Sequence, residues 1–356
     1  MDELAVHKEA HNVLTEIPRH AEVRSIPSSP AKGTPVPLVN LILLALTLLT
    51  TTMAGAYTAG SDFSLLRPIA SLGALASGLS FSLPLMTILL AHEMGHYLVA
   101  RRNQVDTTLP YFLPAPLPSL FIFGTFGAFI RMRSMPPSRR VMFDIGAAGP
   151  WAGMLIAGPC VVIGISMSDI GPLGQGAGGL ELGNSLLFWG LLRWILGVDP
   201  ALVTVNLHPL ALAGWIGFLV TTLNLLPVGQ LDGGHVIYAL FPRFHRTIST
   251  LFVALCITMV VVPLAVGWSF WPGWLLWAVL AVALGLGHPA TYDRDTPLDL
   301  SRRIAASLTV LLFILTFVPV PFSLSAPDNT PPSRDSQTYQ VQHRSMPERL
   351  PPVIRI

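Results

Sequence analysis

The residues most able to do chemistry are His92-Glu93-Met94-Gly95-His96, which directly follow the apolar run 81–91. On an α-helix His92 and His96 lie one turn apart on the same face, so both imidazoles can bind one metal ion. Glu93 lies beside them, where a carboxylate can take a proton from water that the metal activates. These residue types at this spacing predict a zinc site for hydrolysis.

A hydrolytic zinc site needs three protein ligands and one open position. Asp232 is the candidate for the third ligand, because it ends a long apolar segment and precedes Gly233-Gly234, where backbone can approach another group closely. The alternative is a turn aspartate whose carboxylate is bound by local amides. His235 is expected to cap or pack there rather than to bind metal.

The composition is typical of a membrane protein. Of 356 residues, 52% are hydrophobic and only 11% are charged, whereas soluble domains carry about 25% charged residues. Several apolar runs reach the roughly 18 residues that cross a bilayer. The sequence therefore predicts an all-α polytopic membrane protein with about six to seven transmembrane helices. The net charge of +2 is too small to imply a nucleic-acid partner and no basic cluster is present, so no nucleic-acid partner is expected.

The polar residues of the 92–96 motif are costly in such a setting. An acidic side chain at membrane depth costs about 2.5–3.5 kcal/mol on insertion scales. Leucines would be cheaper at these positions, so we expect His92, Glu93 and His96 to have a chemical task.

The apolar segments organise the chain into one membrane domain, 36–323, with a core at about 68–240, between disordered tails at 1–35 and 324–356. Transmembrane helices are expected at about 36–57, 68–100, 143–167, 201–226, 247–267, 270–287 and 304–320. The segment 186–196 is too short to span and has tryptophans suited to an interface, so a surface or re-entrant helix is expected there. Asp144 is expected to start a helix favourably, and Gly127, Gly146 and Gly149 to permit close packing.

Residues 103–140 are not expected to form a helix. Four prolines between 110 and 118 break the first half. The stretch 121–133 that follows is rich in aromatic residues and glycine, which indicates a β-hairpin or re-entrant segment associated with the membrane. Its edge can hold an unwound substrate by β-addition through Gly124, Phe126, Gly127 and Phe129. The alternative is a hairpin with a structural role only.

Arginines collect at 101–140 and near 243–246 and 302–303. The positive-inside rule then places the active site towards the cytoplasmic side. The first 35 residues lack the composition of a plastid transit peptide, which favours a bacterial cytoplasmic (inner) membrane.

Two motifs together carry a family resemblance. His92-Glu93-Met94-Gly95-His96 and the pattern Asn224-x-x-Pro227-x-x-x-Leu231-Asp232-Gly233 resemble the site-2 protease family of intramembrane zinc metalloproteases, peptidase M50. The stretches 109–114, 124–134 and 143–150 are similar to its bacterial, cyanobacterial and plastid branch. The resemblance implies one Zn²⁺ per chain, held by His92, His96 and Asp232. It also implies Glu93 as the general base and Asn224 near the reacting carbonyl.

The family resemblance implies a zinc-dependent endopeptidase that cuts in or near the transmembrane segments of membrane-protein substrates within the lipid bilayer, as in regulated intramembrane proteolysis. The family commonly carries a PDZ domain, but the connections here are too short for one, so none is expected. Two alternatives are a non-catalytic family member, against which intact Glu93 argues, and a transporter that uses intramembrane His and Asp residues. Transporters often show internal repeats, and none is evident here.

Overall fold

The computed structural model describes residues 37–60, 72–115, 123–172, 180–289, 291–293 and 295–324. Within these ranges the chain is mainly helical, with short strands that form three two-stranded sheets. The predicted tail at 1–35 lies outside the described residues, and so does the second tail beyond Leu324.

The helices are joined by connections that range from the single residue Gly78 to the 36 residues of 103–138. In chain order they are α1 (Leu38–Thr58), α2 (Leu72–Ser77), α3 (Leu79–Arg102), α4 (Arg139–Ser166), α5 (Leu186–Leu196), α6 (Pro209–Asn224), α7 (Asp232–Leu240), α8 (His245–Val266), α9 (Gly273–Leu284) and α10 (Leu300–Thr316). The strands are β1 (Tyr111–Pro114), β2 (Thr125–Phe129), β3 (Asp169–Pro172), β4 (Leu180–Leu182), β5 (Val203–Asn206) and β6 (Phe322–Leu324).

The main apolar core lies where α3, α4 and α6 pack against one another. Phe81 and Ile88 of α3 contribute buried side chains, as do Val161 of α4 and Trp215 of α6. A second core joins α8 to α9 around Phe252. The first core holds the helix that carries the 92–96 motif in a fixed position.

Among the described helices, α1, α4 and α8 are long and apolar enough to cross a membrane by length and composition. Helix α3 has 24 residues, but its 92–96 motif and terminal arginines make it more polar than those three. Helices α5, α6 and α9 are apolar but shorter. The length and composition of these helices therefore indicate a membrane protein.

The predicted helix at 201–226 is wrong over its first eight residues. A 3₁₀ turn at Pro200–Leu202 and the strand β5 come first, and α6 begins only at Pro209. Val203-Thr204-Val205 is β-branched throughout, and it pairs with β3 in an antiparallel ladder. Pro209 then starts the helix because proline fits the first helical position.

The predicted hairpin between residues 103 and 140 is present. Strands β1 and β2 are antiparallel, with Tyr111 opposite Phe129 and Phe112 opposite Ala128. The register shifts between Phe112 and Pro114, which marks a β-bulge.

Helix α4 begins earlier than the sequence pattern suggests. Ser138 caps it by accepting a hydrogen bond from the Val141 N–H. Asp144 is therefore not at the helix start, and that expectation was wrong. Its carboxylate instead accepts two hydrogen bonds from the Arg302 guanidinium, at 2.8 and 2.7 Å, which ties α4 to α10.

Candidate active site

The last part of α3 carries three buried polar side chains: His92, Glu93 and His96. His96 Nδ1 donates a hydrogen bond to the Ile145 carbonyl oxygen of α4, 2.7 Å away. Because a carbonyl can only accept, the proton of this imidazole is on Nδ1. Nε2 therefore presents a lone pair to the interior of the site.

Asp232 is brought to these imidazoles by the tight turn between α6 and α7. A side chain at Gly233 would place its Cβ 2.0 Å from the Leu225 carbonyl oxygen, and one at Gly234 would place it 2.4 Å from that of Gly229. Only glycine permits this close approach of backbone to backbone. The turn thus sets Asp232 as the first residue of α7 and directs its carboxylate towards α3.

Three atoms converge at the centre of the site. Asp232 Oδ2 lies 3.2 Å from both His92 Nε2 and His96 Nε2, and the two nitrogens are 3.1 Å apart. Ligand bonds of 2.0–2.1 Å at tetrahedral angles would separate ligand atoms by about 3.3 Å. One cation placed between these three atoms would be within bonding distance of all of them. The three residues therefore form a cluster that can hold a metal ion.

Glu93 and Asn224 complete the polar surroundings. Asn224, at the end of α6, lies with its Nδ2 atom 3.1 Å from His92 Nε2. The buried Glu93 carboxylate accepts a hydrogen bond from the backbone N–H of Ile130, just after β2. The structure thus brings Asn224 and the end of the hairpin to the same place as the motif on α3.

Glycines of α4 provide the space that the two histidines occupy. A Cβ at Gly149 would lie 2.0 Å from His96 Nε2, and one at Gly153 would lie 3.3 Å from His92 Cβ. A Cβ at Gly146 would lie 2.7 Å from the Cβ of His235. The predicted close packing at Gly146 and Gly149 is confirmed, and the side chain that Gly149 meets, His96, is a residue of the site itself.

Two of the predicted substrate-binding glycines have evident structural roles. Gly124 has a φ of +68°, and the Thr50 hydroxyl of α1 donates to its carbonyl oxygen over 2.6 Å. A Cβ there would lie 2.3 Å from the Thr50 carbonyl oxygen. Gly127 has a φ of +99° but no atom within 4 Å of a Cβ. Close packing at Gly127 was therefore a wrong prediction, because the backbone conformation is what requires glycine there.

The edge of β2 that faces the site is at residues that the sequence reasoning did not single out. The Arg131 N–H donates to the Thr108 hydroxyl, and the Arg131 carbonyl oxygen accepts from the Thr108 N–H, so the backbone of Arg131 points away from the site towards residue 108. The Ile130 N–H points to Glu93 instead, and because backbone direction alternates along an extended chain, we expect Ala128 to face the same side. The side chains of Phe126 and Phe129, both predicted, are 59% and 45% exposed. Which backbone groups of this segment face the site depends on hydrogen bonds that are seen only in the structure, so the sequence gives no signal for it.

His235 belongs to a separate group of rings on the other side of Asp232. Its Nδ1 lies 2.7 Å from His288 Nε2, and the His288 ring stacks on Tyr238 with centroids 4.1 Å apart. His288 Nδ1 donates to the Pro289 carbonyl oxygen, so Nε2 accepts from His235. Burial lowers the pKa of His288 to about 4. This arrangement matches the expected packing role of His235.

Comparison with known proteins agrees with this geometry. The sequence model of peptidase family M50 matches residues 80–267, more than half of the chain. The chain belongs to peptidase family M50. The matched range includes the 92–96 motif, Asn224 and Asp232, so the residues that meet in the structure are all within the M50 region.

Curated relatives are plant proteins. The chain is 32% identical over 269 residues to the probable zinc metalloprotease EGY1, chloroplastic, of Oryza sativa subsp. japonica, covering 73% of this chain and 43% of the relative. The protein of the same name from Arabidopsis thaliana is 31% identical over 269 residues, covering 73% and 45%. The probable zinc metalloprotease EGY2, chloroplastic, of Oryza sativa subsp. indica is 28% identical over 262 residues, covering 73% and 46%.

The chain thus spans less than half of the length of these M50 relatives. Their names place them in chloroplasts, which does not support the expected bacterial inner membrane. The expected similarity to the branch that includes plastid proteins is confirmed.

Proposed function

We propose that this chain is a zinc-dependent intramembrane endopeptidase, which hydrolyses peptide bonds in or near transmembrane segments of membrane proteins. The observation that carries the proposal is the convergence of His92, His96 and Asp232 beside Glu93, at distances that suit one divalent cation. Membership of a peptidase family and relatives named as probable zinc metalloproteases support the same reaction class.

One zinc ion per chain would be held by His92 Nε2, His96 Nε2 and the Asp232 carboxylate. When bound, zinc acidifies water and polarises a carbonyl group. The bond from His96 Nδ1 to the Ile145 oxygen keeps that imidazole in the tautomer that a metal ligand needs.

Glu93 is the proposed general base. Its carboxylate receives a proton from the attacking water and passes it to the departing amine. The hydrogen bond from the Ile130 N–H fixes the carboxylate in place. Asn224 directs its amide into the site, where an N–H donor stabilises the negative charge that develops on the carbonyl oxygen.

A substrate helix must unwind before cleavage, because its peptide groups are satisfied by its own hydrogen bonds. We propose that the site-facing edge of β2 at Ala128, together with the Ile130 carbonyl oxygen just after the strand, pairs with the unwound segment by β-addition. Since Ile130 already contacts Glu93, a strand bound there passes the general base. Phe126 and Phe129 then offer apolar surface to the neighbouring parts of the substrate.

The hairpin proposal is tested with Ala128→Pro, which removes one N–H from the site-facing edge, and with Ala128→Val, which keeps it. We expect Ala128→Pro to lower the cleavage rate severely while zinc content stays at the wild-type level, and Ala128→Val to cleave normally. Equal rates in both variants would contradict a pairing role for β2.

For the membrane arrangement, we propose that the domain 36–323 crosses the bilayer six or seven times. Helix α3 has the length of a span, and α6 and α10 have 16 and 17 residues, close to the roughly 17–25 needed. Together with α1, α4 and α8 they make six, and α9, which is shorter with 12 residues, is the candidate for the seventh. The active site lies towards the membrane face that carries the arginines at the end of α3 and the start of α4.

The decisive experiment uses purified full-length protein in detergent with a library of synthetic transmembrane peptides, read by mass spectrometry. We expect zinc-loaded wild type to cut peptides, and Glu93→Gln to bind zinc equally but to cut at least about 100-fold more slowly. Glu181→Gln, at an exposed position on β4, is the matched control and should behave as wild type. Cleavage by Glu93→Gln at the wild-type rate would refute the mechanism, and zinc-loaded wild type that cuts nothing would favour a non-catalytic family member.

A further inference from the structure

A cavity of about 520 Å³ lies beside the candidate active site. It is enclosed by the end of the hairpin, the turn between α6 and α7, and the facing sides of α8 and α9. The volume is within the 300–1,000 Å³ of ordinary ligand pockets. Of its described lining residues, Phe129 and Ile130 belong to the hairpin that the proposed function uses, whereas those from α8 and α9 have no role in it.

Two residues that line the cavity are also next to the reacting groups. Ile130 lines it and donates its N–H to Glu93. Leu231 lines it and immediately precedes Asp232. A chain held along the edge of β2 would therefore pass the mouth of the cavity within a residue or two of the bond that is cut.

The chemistry of the lining is apolar. Leu226, Phe252 and Ala281 are buried lining residues, and Trp277 and Leu280 of α9 add further apolar surface. The polar lining side chains are Arg131 and Gln230, both exposed, and the lining includes no carboxylate.

The size of the lining side chains varies with position. Ala281 is small, whereas Trp277, Leu280 and Leu284 on the same face of α9 are large. A small residue among large ones leaves room on that wall. A larger side chain in place of Ala281 would therefore reduce the cavity on the α9 side.

We propose that this cavity is a specificity pocket that receives a bulky apolar side chain of the substrate, such as leucine, isoleucine, methionine or phenylalanine, next to the scissile bond. Burial of that side chain supplies binding free energy that a small or charged residue would not supply. The inference rests on the proposed function, since it concerns the substrate of the same site. It names Ala281 as a specificity-determining residue.

The first test compares cleavage-site preferences of wild type, Ala281→Phe and Val279→Phe on a peptide library randomised around the cut. Val279 is on the same helix, is 65% exposed and does not line the cavity, so it controls for added volume. We expect wild type and Val279→Phe to prefer a bulky apolar residue at one fixed position. Ala281→Phe should lower the ratio of kcat/KM for leucine over alanine there by about tenfold. An unchanged ratio in Ala281→Phe, or no preference in wild type, would overturn the proposal.

A second measurement needs no change at Ala281 and no catalysis. Transmembrane peptides that carry one photo-reactive leucine are cross-linked to Glu93→Gln, and the attached residue is located by mass spectrometry. Cross-links on Phe252, Trp277 or Leu280 are expected. Cross-links found only outside the cavity would overturn the pocket. If wild type fails to cut while these cross-links form, the proteolytic function fails and the pocket remains as a binding site.

Discussion

A single methyl group at position 149 should abolish the metal site. The Cβ of alanine there would lie 2.0 Å from His96 Nε2 and 2.5 Å from Cδ2 and Cε1 of the same ring. Ordinary contact begins near 3.4 Å, so the ring or α4 must move by about 1.4 Å. The ring is buried and held by its 2.7 Å hydrogen bond to Ile145. Metal–ligand distances tolerate only about 0.2 Å, so His96 could no longer share an ion with Asp232.

Three glycine-to-alanine variants on α4 make this a graded test. Gly149→Ala should lose most of its zinc and cleave at least about 100-fold more slowly, as a misplacement of about 1 Å commonly causes. Gly153→Ala, whose Cβ would lie 3.3 Å from His92, should have an intermediate effect. Gly158→Ala meets no atom within 4 Å and should match wild type. Zinc per protein, peptide cleavage and the thermal midpoint are measured for each.

The order of the three effects is what the reasoning predicts. Gly149→Ala with full zinc content and the wild-type rate would refute it. A loss of zinc in Gly158→Ala equal to that in Gly149→Ala would refute it as well, because the effect would then come from any added methyl group on this helix.

Three further predictions concern other parts of the molecule. Arg302→Lys loses the two-pronged hydrogen bond to Asp144 and should lower the free energy of unfolding by about 1 kcal/mol, since both side chains are partly exposed; a double-mutant cycle with Asp144→Asn measures the coupling. His288 has a pKa near 4 when folded and about 6.5 when unfolded. As pH falls from about 6.5 to 4 the unfolded chain binds the proton first, so stability falls by at most about 3 kcal/mol, a loss that His288→Gln should reduce. Thr50→Val removes the 2.6 Å bond to Gly124 and should slow cleavage several-fold with zinc retained.

Each of these has a result that contradicts it. No coupling in the cycle would mean that the ion pair does not join α4 to α10. An identical loss of stability between pH 6.5 and 4 with and without His288 would assign that loss to other groups. Wild-type cleavage by Thr50→Val would show that the hairpin does not need its bond to α1.

Several features were predictable because they depend on residues close in sequence. The spacing of apolar residues, the positions of prolines and the residue types predict three elements: the helix around residue 92, the helix at 186–196 and the hairpin within 103–140. Residues 201–208 were predicted incorrectly, because apolar character alone does not separate a buried strand from a helix. The pairing of β5 with β3 decided that segment.

The sequence by itself determined that His92 and His96 share one face of a helix, because the helical period sets that spacing wherever the helix lies. It also determined a membrane protein, because composition is independent of the path of the chain. Only the tertiary structure decided that Asp232, 140 residues from His92, turns its carboxylate to both imidazoles, and that Gly149 makes room for His96. Only the tertiary structure also decided which edge of β2 faces the site and that a cavity lies beside Ala281. Such contacts depend on how several helices pack at once, which no local spacing specifies.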